Sequence, residues 1–389
     1  MTDQVKLTAW EATGKFTNEV ENKIVKEFGA QIIDDDLIQR FIKITGKEPH
    51  RMLRRGLFFA HRDLEKVLDD YEKGEQIFIY TGRGPSTESL HLGHYTVIEF
   101  TKWLQDVFNA VTIIQIADDE KYWFKDLKFD DVYRLGFENA KDIIAFGFKP
   151  EKTFIFSNRD FARDPHYQTV FSDISKNIKI SQIKATFGIE DNYNVGQMIW
   201  PIYQMTASFS KSFNKIFGDK KVRCLILHSL DQDVYFRLSR DVARKLNSHK
   251  PSSIMSRFLP SSTGDNKMSS TSIGNQLNPT IFLTDTRNQV KKKVNRYNFS
   301  GGQETTELHR KNGGDPDVDI SYQWLKYFLE DDDQLDKLGK DYRSGELLTG
   351  ELKKITIDTV YNLINKHQET RAKLTDEYVN KFYSDENII

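Results

Sequence analysis

The chain has a single cysteine in 389 residues, Cys224, so an internal disulfide and a cysteine-rich zinc site are both excluded. It has almost no net charge: 56 Lys and Arg against 57 Asp and Glu leave −1. Any contact with nucleic acid must therefore use local basic clusters and not a global attraction. Long apolar runs are missing as well. No stretch approaches the roughly 20 residues that cross a bilayer. The opening MTDQVKLTAWEATGKF holds no apolar segment of a secretion signal. No internal repeat or low-complexity tract is present. The expectation is a cytoplasmic protein with no membrane partner. A hydrophobic content of 38% and a charged content of 29% fit a soluble globular chain, and the length suits two or three domains.

The stretch from Ile77 to Phe108 is the most informative part of what is there. Ile77, Phe78, Ile79 and Tyr80 form a short apolar run with strong β preference, which suits a strand buried on both faces. Gly82, Gly84 and Pro85 then force a turn. From His91 a helical period sets in, with Leu92, Tyr95, Ile98 and Trp103 on one face. A buried strand, a glycine-rich turn and a helix start aim backbone N–H groups and the positive helix end at one spot, a geometry for phosphate. His91 and His94, three apart, project from the first turn to the same side. Two surface histidines on a βα unit would be the plain reading of HxGH alone; the preceding Gly-x-Gly-Pro and Ser89 narrow it.

In chain order, residues 1–75 read as an amino-terminal extension with helices over Leu37–Ile44 and Leu64–Tyr71. Its basic cluster Arg51–Arg55 (RMLRR) reads as a solvated helix face, in preference to an RNA-binding patch. Residues 76–278 read as an α/β, doubly wound parallel-sheet, Rossmann-like domain. Val111–Ile116 is its second buried strand, which places Gln115 and Glu120 at a carboxyl end, where ligands sit in such sheets. Asp130 is expected to cap a helix through Phe146, Thr153–Phe156 to form a strand, Pro165–Phe187 a helix and Val222–Leu227 a strand. Asp231, Gln232 and Asp233 open a further helix through Leu246. The Gly-, Asp- and Ser-rich segment 263–271 reads as a loop. Residues 279–389 are helical and charged and read as a separate α-helical domain, with Lys291–Lys293 and Lys353–Lys354 as basic clusters for RNA.

Two motifs carry a family resemblance. HLGH, His91 to His94, resembles the HIGH signature of class I aminoacyl-tRNA synthetases, and KMSST, Lys267 to Thr271, resembles their KMSKS loop. The order is also theirs, with HLGH at the first strand and KMSST after the last. The second lysine of KMSKS is replaced by Ser270, a loss shared with eukaryotic tryptophanyl enzymes. YTGRGPS (80–86), FTKWLQDVFN (100–109), IQIADDEKY (114–122), SFSKSF (208–213), DQDVYFR (231–237), IFLTDT (281–286), FSGG (299–302) and YFLEDDD (327–333) are similar to that eukaryotic branch, from Trp10 onward.

The resemblance implies activation of L-tryptophan by ATP, with Mg²⁺ accompanying the nucleotide, and transfer to tRNA(Trp) by a homodimer whose 279–389 region binds the anticodon. It implies His91, His94 and Lys267 as catalytic groups. It places ATP on Gly82, Arg83, Gly84, His91, Gly93, His94, Lys267, Met268, Ser269 and Thr271. It places tryptophan on Tyr80, Gln115, Glu120, Gln204 and Gln232. The chemistry agrees: an indole N–H only donates, so it needs acceptors such as a phenol oxygen and an amide oxygen, and Glu120 suits an ammonium. The alternatives are a tyrosyl-tRNA synthetase, an HxGH nucleotidylyltransferase, or an inactive RNA-binding paralogue. A tyrosyl enzyme would be expected to offer a carboxylate to the phenol, and a nucleotidylyltransferase would leave 280–389 unexplained.

Overall fold

The computed structural model describes residues 6–7, 12–13, 17–264, 268 and 278–388. Seven strands make one sheet in the spatial order Gln31–Ile32, Phe58–Arg62, Ser252–Ser256, Arg223–Ser229, Ile77–Arg83, Val111–Ile116 and Thr153–Ser157. The last five run parallel. The first two are antiparallel additions from the amino-terminal residues. From Ile77–Arg83 the chain winds outward through Val111–Ile116 to Thr153–Ser157, then returns to the other side at Arg223–Ser229. The direction of winding therefore switches between Ile77–Arg83 and Arg223–Ser229, the place where α/β sheets open a ligand crevice at their carboxyl ends.

Side chains alternate across the sheet, as strand geometry requires. Ile79, Ile114, Ile155, Leu225 and Ile254 point to one face, where they pack with Leu92, Phe100 and Leu104 of helix Leu92–Phe108. Phe78, Tyr80, Ile113, Phe156 and Ile226 point to the other, against helices Pro165–Asn177, Val195–Thr206 and Asp233–Val242. The first of these cores continues past residue 279. Ile320, Trp324, Phe328, Ile357, Val360 and Phe382 from the carboxyl-terminal helices belong to it, and Trp324 donates its indole N–H to the Pro260 carbonyl at 2.9 Å.

The helical segments lie close to the expected ones, with local differences. Helix Phe129–Ile144 starts one residue before Asp130, which caps nothing and pairs instead with Arg159 at 2.8 Å. The stretch Pro165–Phe187 is two helices, Pro165–Asn177 and Ile180–Phe187, because Ile178 takes an extended conformation. Near the carboxyl end, the long helix Thr349–Arg371 is followed by a separate short one, Asp376–Asn380.

The basic cluster differs more: it is not a solvated face. Arg51 is buried, donating to Glu99, to Glu330 at 2.8 Å and to the Tyr327 carbonyl at 2.7 Å. Arg55 donates to the Lys326 and Leu329 carbonyls at 2.8 and 2.7 Å, and with Arg54 it pairs with Asp332. These arginines satisfy the carbonyls at the end of helix Ile320–Phe328, where the helix dipole is negative. The cluster joins the amino-terminal residues to the carboxyl-terminal helices.

Candidate functional site

A cavity of about 460 Å³ opens at the carboxyl ends of the central strands. Strand Ile77–Arg83 delivers Gly82 and Arg83 to it, and the loop that follows delivers Gly84. The neighbouring strand delivers Gln115, in register with Gly82. Glu120 and Lys121 come from the short helix Asp118–Phe124, Gln204 from helix Val195–Thr206, and Gln232 from the turn after strand Arg223–Ser229. His91, Gly93, His94 and Met268 complete the wall.

The two motif histidines form a rigid unit. Their rings stack with centroids 3.6 Å apart at 28°. His91 is the N-cap of its helix, its Nδ1 accepting the Gly93 N–H at 3.1 Å. A Cβ on Gly93 would lie 3.0 Å from the His91 ring, so glycine is what admits this capping geometry. Arg83 donates to Nε2 of His94 at 2.8 Å. The His91 backbone N–H points at Nδ1 of the same ring at 3.3 Å, so two donors face a neutral imidazole that has one bare nitrogen, and the shorter contact is that of Arg83.

Arg83 itself is held by Asn139, whose Oδ1 accepts Nε–H at 2.7 Å. Burial holds its pKa down to about 10, with the charges of Glu120 and Asp142 opposing that shift, so it remains a cation at neutral pH. Its second terminal nitrogen is buried without a hydrogen-bond partner among the described residues. An unpaired buried guanidinium nitrogen on a cavity wall is a position for an anionic oxygen.

Two lysines missed by sequence reading stand beside it. Lys121 donates to Glu120 at 2.8 Å, and Lys125 lines the same wall one helical turn on. Burial lowers the pKa of Lys125, and the Lys121 and Arg83 charges lower it further while Glu120 opposes, so three cations crowd around one carboxylate. The spacing of Lys121 and Lys125, four apart after a strand end, was the available signal. Gly84 lets the backbone lie against this pair, since a Cβ there would collide with the ends of Glu120 and Lys121.

Tyr80 is placed differently from the other expected residues. It is 1% exposed and lies behind the cavity wall. Its hydroxyl donates to Gln115 Oε1 and lies 3.3 Å from the Gln204 carbonyl. Burial pushes its pKa well up, so the phenol stays neutral. Gln204 donates Nε2–H to Gln232 Oε1 at 3.2 Å, and Gln232 turns its own Nε2 to Asp231 at 3.4 Å. Tyr80, Gln115, Gln204 and Gln232 thus meet in one polar cluster, and Glu120 lines the same cavity. Met268 is buried, and its N–H donates to the Leu259 carbonyl at 3.1 Å. Lys267, Ser269, Ser270 and Thr271 lie outside the described residues. Among the described residues no three His, Cys, Asp or Glu side chains form a metal-binding group.

The basic clusters of the helical region are only partly available. Lys293 is buried on Asp285 and the Thr280 carbonyl, at 2.6 and 2.7 Å, and Lys353 is spent on the Asn298 carbonyl at 3.0 Å. Lys291, Lys292 and Lys354 remain exposed.

The model of class I tRNA synthetases for W and Y matches residues 72–365. The cytoplasmic tryptophan–tRNA ligase of Mus musculus is 48% identical over 364 residues, 93% of this chain and 75% of that one. The cytoplasmic enzyme of Saccharomyces cerevisiae is 45% identical over 95% of this chain and 85% of its own. Among solved structures, the tryptophanyl-tRNA synthetase of Plasmodium falciparum superposes with a TM-score of 0.88 at 43% identity, covering 95% of this chain and 98% of that one. That of Giardia lamblia gives 0.89 at 40% identity, over 97% and 100%.

Proposed function

The chain belongs to the class I tRNA synthetases of the tryptophan and tyrosine branch, and from that premise we propose how it works as a cytoplasmic tryptophan–tRNA ligase. The observation that carries the mechanism is the convergence, in one cavity at the switch point of the sheet, of Arg83, the HLGH histidines, Glu120 and the amide cluster.

Synthetases of this class consume ATP. The fit of this cavity to a triphosphate rests on the unpaired Arg83 nitrogen and on the excess of cations around Gly84. The tryptophan carboxylate, with a pKa of about 3.5, is already ionised and attacks the α-phosphorus without a general base. The bond to the β-phosphate breaks and pyrophosphate leaves. Catalysis is then positioning, plus neutralisation of charge growing on phosphate oxygens. Arg83, His91, His94, Lys121, Lys125 and Lys267 are the groups assigned to it, with Gly82, Gly84, Gly93, Met268, Ser269 and Thr271 shaping the nucleotide seat. Mg²⁺ would ride on phosphate oxygens and water, and it would shield their charge.

Glu120 takes the ammonium, helped by the Gln204 and Gln232 amides, while Gln115 and Tyr80 read the indole nitrogen. The second step passes the adenylate's acyl group to the terminal ribose of tRNA(Trp), with residues 279–389 as the anticodon-binding region. Ile180 and Val195, 64% and 71% exposed at the starts of two successive helices, are apolar surface that the proposed homodimer would cover.

Pyrophosphate exchange with each amino acid in turn tests the activation step and the choice of amino acid. Exchange is expected with tryptophan and not with tyrosine. Exchange with tyrosine, or none at all, overturns the reading.

A further inference from the structure

Asp119 and Asn158 form a buried polar chain behind the cavity that ends on Gln115, and neither has a part in the chemistry above. We propose that Asn158 is a specificity-determining positioning residue, whose side-chain carbonyl locks the Gln115 amide with its oxygen toward the indole nitrogen. The inference rests on the reading of Gln115 as an indole reader.

An amide has two ends of nearly equal shape and opposite polarity. With Oε1 forward, Gln115 accepts from an indole N–H; flipped, it presents a donor to a donor and rejects its own substrate. Strand geometry puts Gln115 at the cavity but does not choose between these states. The surroundings of Nε2 choose. Asn158 Oδ1 lies 2.8 Å from it, and the Tyr203 carbonyl and the Tyr167 hydroxyl each lie 3.4 Å away. Tyr167 donates its own proton to the Tyr203 carbonyl at 2.8 Å, so its oxygen faces Gln115 as an acceptor. Asn158 makes the short contact of the three, and both amides are 1% exposed, beyond help from bulk water.

Asn158 could flip too, and Asp119 prevents it. Oδ1 of Asp119 accepts Nδ2–H of Asn158 at 2.9 Å and the Glu120 backbone N–H at 2.8 Å. A backbone N–H always donates, so this oxygen is an acceptor whatever the protonation of the other. Donation therefore runs one way from the pocket, through Gln115 and Asn158 to Asp119 Oδ1, where the Glu120 N–H donates from the other side and fixes that oxygen as the terminal acceptor. Flipping Gln115 would set its oxygen against the Asn158 oxygen and the Tyr203 carbonyl.

The test is pyrophosphate exchange with tryptophan and with an isostere whose ring nitrogen is replaced by sulfur, read as the ratio of kcat/KM values. In Asn158→Leu the ratio is expected to narrow about fivefold or more, the worth of one buried hydrogen bond, with most of the change in KM for tryptophan. In Asn158→Asp the introduced carboxyl keeps an acceptor toward Gln115 whether protonated or not, so the ratio is expected within about twofold of wild type even where thermal stability falls. Asn158→Ser, too short to reach Gln115, is expected to behave like Leu and replaces it if the Leu variant fails to fold. A wild-type ratio in Leu or Ser, or the same loss in Asp, overturns the proposal. A wild-type enzyme indifferent between the two substrates overturns the indole reading of Gln115 instead.

Discussion

Arg371, in the last turn of the long carboxyl-terminal helix, donates Nε–H to Oδ1 of Asp142 at 2.6 Å. The other oxygen of that carboxylate accepts the backbone N–H of Leu90 at 2.8 Å, one residue before the first motif histidine. Asp142 is fully buried, whereas Arg371 is about a quarter exposed. Arg371→Met would leave a buried carboxylate with Leu90 as its remaining strong partner. The expected loss of stability is about 2–3 kcal/mol, below the figure for a pair buried on both sides. Denaturant unfolding measures it, and Arg371→Lys should recover part.

Lys121 pairs with Glu120 at 2.8 Å and lines the cavity proposed to hold the phosphates. Lys121→Met should lower kcat for pyrophosphate exchange about 10- to 100-fold, less than a lone preorganised donor is worth because Arg83 and Lys125 remain. Tryptophan affinity, measured by calorimetry, should change little. If affinity falls as far as the rate, the role of Lys121 is to hold Glu120 in place and its assignment to phosphate is wrong.

Much of this site was legible because the chemistry sits on elements with strong local signals. The runs at Ile77, Val111 and Val222 are apolar enough to be strands on their own, and the turns after them carry glycine or acidic residues. What the sequence hid was settled by distant partners. Phe58–Arg62 is a buried strand although it contains His61 and Arg62. Arg62 is tolerated there because Asp233, 171 positions away, accepts two of its hydrogen bonds at 2.8 Å, and the Gly29 and Phe28 carbonyls accept two more at 3.1 and 2.8 Å. The Arg51–Arg55 cluster looks solvated only while Glu99, Glu330 and Asp332 are out of view, and Lys293 hides in the same way behind Asp285. Asn158 was findable by position, as the first residue beyond a parallel strand, but nothing local said which amide it orients.

Asp119 gives a pH dependence. Burial first, then the Asp118 charge, pushes its carboxyl up to about 8. An unfolded aspartate ionises at about 3.9, so between about 4 and about 8 the native state binds more protons than the unfolded one. Stability attributable to this group therefore falls as pH rises through that window and levels off above it. Asp119→Asn keeps an oxygen for Asn158 and the Glu120 N–H while removing the titration. Thermal melts should show the variant gaining on wild type from pH 5 to pH 8. Parallel curves would mean the carboxyl is ionised throughout.

For tRNA, only the exposed lysines are available. Lys291→Ala with Lys292→Ala should reduce the slope of log affinity against log salt by about one unit per lost phosphate contact at most. Lys293→Ala should instead lower stability, because it strands Asp285. Pyrophosphate exchange, which needs no tRNA, should survive the double substitution. An unchanged salt slope would move the RNA surface off helix Arg287–Tyr297.

Tyr80 tests the division of labour in the indole pocket. Its hydroxyl has one proton and two acceptors in reach, Gln115 Oε1 and the Gln204 carbonyl. With that proton engaged by the protein, only its lone pairs face a substrate N–H. Tyr80→Phe removes an acceptor, but it also releases a lone pair on Gln115 Oε1, which is then free for the indole. The two effects oppose. The expected cost is about 1 kcal/mol, or about fivefold in kcat/KM for tryptophan, near the lower bound for a buried hydrogen bond. Replacing Gln115 by Leu as well removes the compensating acceptor and should cost more than the sum of the single changes. Exchange kinetics on the two single variants and the double variant measure that excess. Strict additivity would mean that Tyr80 and Gln115 do not share the indole proton, and that one of them acts only by packing.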